Sequence, residues 1–90
     1  MRKQLQDATR AQRKRIEVLD KQLAKLQANL DEVHTQLADD AIYASEQSTK
    51  LAELLKQQAE YQTNLDDVET EWLMLQEEVE AISKSFQIND

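Results

Sequence analysis

Ninety residues, 32% of them charged and 4% aromatic, with no Gly, Pro or Cys, describe one small domain of helix-rich composition. The absence of cysteine excludes disulfides, thiolate nucleophiles and zinc-thiolate sites, and the absence of glycine excludes a phosphate-cradling Walker loop. The net charge of -7 hides an asymmetry: residues 1–30 carry eight Lys/Arg against three acids, net +5, whereas residues 31–90 carry three Lys against fifteen acids, net -12.

The chain opens with "MRKQLQDATRAQRKR", a basic stretch with no apolar h-region behind it, so it does not read as a secretory leader. No window approaches the roughly 18 apolar residues of a membrane span. A soluble, cytoplasmic protein without membrane association is the expectation. Residues 1–15 read as a basic helical arm or linker, with Met1 marking a cut through a longer chain. Arg10, Arg13, Lys14 and Arg15 form the candidate nucleic-acid strip, which Arg2 and Lys3 extend, because several cations in one short helical segment can neutralise several phosphates together.

A first helical run follows. Ile16, Leu19, Leu23, Leu26, Leu30, Val33 and Leu37 are spaced alternately 3 and 4 apart, the rhythm that keeps one narrow stripe facing a partner helix. This helix is predicted to end near residue 38. His34 lies on its flank without a second imidazole or thiol for zinc, and reads as a surface residue.

The corner, residues 39–46, reverses the chain without glycine or proline. Asp39 or Asp40 is predicted to cap one further helical turn, "DDAIYA", and Ser45 to cap the second long helix with Glu46 in its first turn. An aspartate can also enter the left-handed region that usually calls for glycine. Ile42 and Tyr43 are expected to fold over the open end of the seam.

The second helix is predicted over 47–86, with a stripe of Leu51, Leu54, Gln58, Tyr61, Leu65, Val68, Trp72, Leu75, Val79, Ile82 and Phe86 in the same rhythm. Gln58 is its one polar member, either a tolerated, partly exposed amide or a residue that controls register. Residues 87–90 read as a frayed terminus. Two such stripes joined by a short corner bury each other by folding back, which predicts an all-α, antiparallel two-helix coiled-coil hairpin over 16–86 with a short helical turn at the corner. Placing Leu37 opposite Leu51 sets Leu23 by Leu65 and Ile16 by Trp72. Thr9 and Gln12 then face Val79 and Leu75, so the first fifteen residues should dock less securely.

This register offers the basic strip a second use. It runs beside Glu69, Glu71, Glu77, Glu78 and Glu80, with Arg15 and Glu71 as a flanking pair, so neutralisation within the chain competes with nucleic-acid contact. Both uses stay open. Adjacent acids such as Asp39/Asp40, Asp66/Asp67 and Glu77/Glu78 diverge by about 100° on a helix, which suits solvated faces and caps more than an ion site. In "EWLMLQ", Trp72 and Leu75 can occupy the seam but Leu73 and Met74 cannot, so these two are interaction candidates for a third helix, a second copy or a parent domain. A two-helix seam buries its apolar residues only in part, so an isolated hairpin is marginal and such a partner would complete it.

Residues 37–82, with Leu37 and Asp39 before an acidic corner, Tyr43 at its tip, Leu51 and Leu55 at the restart and the Trp72–Leu73 step, resemble the C-terminal coiled-coil domain of bacterial ABC-F ATPases. The likeness is nearest to the YheS-like branch and more distant to the Uup-like one; many relatives place proline in the corner, where this chain has "YASEQS". The resemblance implies a non-catalytic fragment of a protein with two ATP-binding cassettes, which would hold ATP and Mg, and a role at the ribosome in translation. Ribosomal RNA or DNA, met through the basic arm, is the implied partner. Only structural residues carry over, Tyr43 at the tip and Trp72 in the seam. The alternative is a structural module that self-associates as a homodimer or docks onto the parent ATPase cassettes. A helical arm that contacts tRNA, of the kind some synthetases carry, has the same shape but predicts an enzyme domain downstream.

Overall fold

The structure, a computed structural model, describes residues 2–88, which form helix α1 (Arg2–Ala8), helix α2 (Arg10–Leu37), two 3₁₀ turns (Asp40–Tyr43 and Ser45–Gln47) and helix α3 (Ser48–Ile88). No strand occurs among the described residues. The first long helix thus ends at Leu37, and the second starts at Ser48 and continues past 86. Of the frayed end expected over 87–90, residues 87 and 88 are helical; 89 and 90 lie outside the described residues, as does Met1.

At about 1.5 Å per residue, the 41 residues of α3 span roughly 61 Å. The whole molecule measures 67 × 16 × 15 Å, so α2 lies beside α3 and not in line with it. Every residue of the two predicted stripes is buried or half-buried, with Leu19, Leu30, Val33, Leu54 and Leu65 the deepest. Near the corner Val33 packs with Leu54 and Ile42, edged by Leu37, Leu51 and Tyr61. Farther away Asp20 meets Trp72 and Arg15 meets Glu71. These facing pairs fall within about one helical turn of the expected register. On the outer faces, bonds four residues apart, Gln27 to Asp31 and Gln62 to Asp66, support the long helices between packed positions.

The corner works differently from the expectation in three respects. First, none of the described residues has a positive φ, so the left-handed option open to an aspartate is not used. The chain turns at two extended residues, Asp39 (φ -78°, ψ 120°) and Ala44 (φ -66°, ψ 146°), each followed by a 3₁₀ turn, so glycine is not required. Of the two candidate caps, Asp39 and Asp40, it is Asp39 that caps, its carboxylate accepting from the Ala41 N–H at 3.0 Å. Second, Ser45 does not cap the second long helix: it opens the 3₁₀ turn before α3, and the cap position of that turn is held by Ala44, which has no side-chain oxygen to cap with. Third, Ile42 covers the seam at 6% exposure, but Tyr43 is 59% exposed. Its hydroxyl instead donates to the Leu37 carbonyl at 2.7 Å and so satisfies one of the orphan carbonyls at the end of α2.

A break at Thr9 separates α1 from α2. Thr9 is 3% exposed, and its hydroxyl donates to the Leu5 carbonyl at 2.9 Å. Arg13 then inserts into the loosened turn, donating from Nε to the Thr9 hydroxyl at 3.1 Å and from a terminal nitrogen to the Gln6 carbonyl at 2.6 Å. A threonine bonding back to the preceding turn and a side chain entering the helical ladder are both recognised causes of a kink. Gln12 is half-buried with its amide oxygen buried and unpartnered, a local cost that agrees with weaker docking of this end.

Candidate functional site

The basic strip occupies the first turns of α2, on the side of the Thr9 break away from α1, and its four cations do not do the same work. Arg13 is bound to Thr9 and Gln6. Arg15 forms a two-pronged bond with Glu71, from Nε to one carboxylate oxygen at 2.7 Å and from a terminal nitrogen to the other at 3.0 Å. This is the flanking pair expected from the register. Arg10 and Lys14 remain exposed, form no ion pair among the described residues, and line a shallow depression of about 300 Å³ with Arg13 and Glu17. Neutralisation within the chain therefore takes one cation, the kink takes a second, and two are left facing outward.

The hydrogen bond from Arg15 holds the Glu71 carboxyl below the usual carboxylate range, with its charge adding to the effect and partial desolvation opposing it. The same bond raises the Arg15 guanidinium still further. A depressed carboxyl contributes stability that is complete above its unfolded value, about 4.3, and is lost as pH falls through the lower folded value. The difference in melting temperature between wild type and Glu71→Gln is therefore expected to be constant from about pH 6 to 8 and to shrink below about pH 4. It should be small throughout, because both side chains are solvated and screened. Thermal melts across this range test the pairing; a difference that survives undiminished at about pH 2 would refute it.

Trp72 sits half-buried in the seam, and its indole N–H donates to the Asp20 carboxylate at 2.8 Å. Asp20 escaped the sequence reading. The available signal was the indole itself, which needs an acceptor when its ring is packed, together with an acid about one turn from the expected partner position. Thr9 and Gln6 were also missed as partners of Arg13, since their role exists only in the kinked geometry. Gln58 is half-buried at its seam position. Leu73 and Met74 point away from the seam, 56% and 61% exposed. His34 is exposed in the last turn of α2. Among the described residues, no group of three or more His, Cys, Asp or Glu could hold a metal ion, and no helix is long and apolar enough to cross a membrane.

The class defined by this arrangement is a slender rod of two long packed helices whose distinctive chemistry lies on its outer faces. Within that class, residues 7–77 match the ABC transporter C-terminal domain family, and the chain belongs to it. It is thereby an accessory domain of an ABC-type protein. No curated protein and no solved structure matches the chain.

Proposed function

We propose that this chain is the C-terminal coiled-coil interaction domain of a soluble ABC-F ATP-binding protein that acts in translation. In this reading α2 and α3 form one antiparallel hairpin, which contacts the ribosome or another nucleic acid while ATP turns over in the parent's cassettes. The pairings of Arg15 with Glu71, Asp20 with Trp72 and Val33 with Leu54 support the hairpin. Membership of the family supports the parent. The observation that carries the nucleic-acid contact is the pair of outward cations, Arg10 and Lys14, left over after Arg13 and Arg15 are engaged inside the chain.

The geometry makes the test quantitative. Each phosphate neutralised on a duplex contributes about -0.9 to the slope of log affinity against log salt, so Arg10 and Lys14 contribute about -1.8 between them, against about -3.6 if all four cations engage. Titration of a short RNA duplex and a DNA duplex at several salt concentrations measures this. Arg10→Glu with Lys14→Glu should abolish binding, whereas Arg15→Gln should leave the slope unchanged. Undiminished binding by the double charge reversal sinks the proposal.

A further inference from the structure

We propose that the back of α3 around Leu73 and Met74 is a docking surface for a basic amphipathic helix, a partner segment that presents large apolar side chains at helical spacing with Lys or Arg beside them. Trp72 and Leu75 turn into the seam, so the helical step of about 100° per residue sends Leu73 and Met74 outward as an adjacent exposed pair. Single exposed hydrophobes are ordinary; here two large ones, 56% and 61% exposed, stand on adjoining faces of the same turn of α3. The residues one turn away decide what can cover them.

Glu69 and Glu77 flank Leu73, and Glu77 and Glu78 flank Met74, at the three- and four-residue spacings that share a helix face. All three acids are exposed and form no ion pair among the described residues. Between Lys56 and Lys84, α3 carries eight acids and no Lys, Arg or His, so its own helix does not neutralise the face. The one cation that reaches across from α2, Arg15, is spent on Glu71. An apolar pair within an uncompensated acidic rim is complementary to an apolar stripe with a basic rim.

The same charges disfavour a second copy. Pairing this patch with itself about a two-fold axis would set the acidic rim of Glu69, Glu77 and Glu78 against the same rim of the other copy, a like-charge contact that costs affinity. Laying the basic face of another copy's α2 on the patch would be head-to-tail and open-ended, and would offer Val18 as its one large exposed hydrophobe. A separate basic helix meets neither objection.

A fluorescently labelled helical peptide of Leu and Lys in amphipathic order is the probe, with a Ser/Lys peptide of equal charge as control, read by anisotropy and accompanied by sedimentation of the protein alone. The Leu/Lys peptide should bind at least about tenfold more tightly than its control. Leu73→Ser with Met74→Ser should erase that difference, and Glu77→Gln with Glu78→Gln should weaken both peptides. Circular dichroism on each variant checks that the exposed substitutions leave the fold intact. Unchanged peptide discrimination by the Leu73/Met74 variant overturns the proposal. So does a wild type that self-associates and is dispersed by that variant, which would assign the face to a second copy. Nucleic acid is absent from the assay, so the outcome is independent of the function proposed for Arg10 and Lys14.

Discussion

Leu19→Ala is expected to lower the thermal midpoint of this domain by roughly 10 °C or more. Leu19 is the most deeply buried side chain among the described residues, at 0% exposure, near the N-terminal end of the α2 stripe. Removing a buried leucine beyond its β-carbon costs about 2 to 5 kcal/mol, since the transfer energy of the lost methyl groups is joined by the cavity they leave. In a domain of this length each kcal/mol moves the midpoint by roughly 4 to 8 °C. A two-helix rod has no second layer to collapse into the gap, so the upper part of that range is reasonable. Leu73→Ala serves as the reference, because its side chain is 56% exposed and the change should stay within about 0.5 kcal/mol. Melts followed by circular dichroism compare the two, and equal shifts would mean that the α2 stripe is not the core.

The second large effect concerns the corner. Spin labels at Lys25 and Asn64, exposed residues that line one open groove between α2 and α3, should report a single short separation within about 20 Å, set by the spacing of packed helices plus the label arms. Were the same residues joined by one continuous helix, the separation would be about 58 Å. Ile42→Asp should broaden the short distance or abolish it. Ile42 is 6% exposed against Val33 and Leu54, and a carboxylate placed in that apolar cluster must be solvated by opening it. A long distance in the wild-type monomer, or a short one seen only between different molecules, would remove the hairpin inferred for this chain.

Much of the architecture was legible along the chain. The alternation of 3 and 4 from Ile16 to Leu37 and from Leu51 to Phe86 marks the residues that are buried or half-buried, because helical geometry converts that spacing into one face without reference to anything distant. Asp39 was legible as a cap for the same local reason: a short side chain with an oxygen can reach the N–H two residues on. The Tyr43 hydroxyl was not, since its bond to Leu37 depends on how two extended residues place the intervening turn. Position along the chain could assign an aromatic to the corner but not say whether its ring or its hydroxyl does the work.

The candidate surface divides in the same way. Residue order alone settled that Arg10, Arg13, Lys14 and Arg15 are close together and that Leu73 and Met74 miss the seam, because both are consequences of one helix taken by itself. The register of the two stripes already set Arg15 beside Glu71, but only the packed arrangement decided that Arg13 closes a kink, that Asp20 accepts from the Trp72 indole N–H, and that Arg10 and Lys14 are left outward. The reason is reach. A side-chain bond between helices depends on the register and tilt of two rods, quantities summed over many residues, so no single segment contains it.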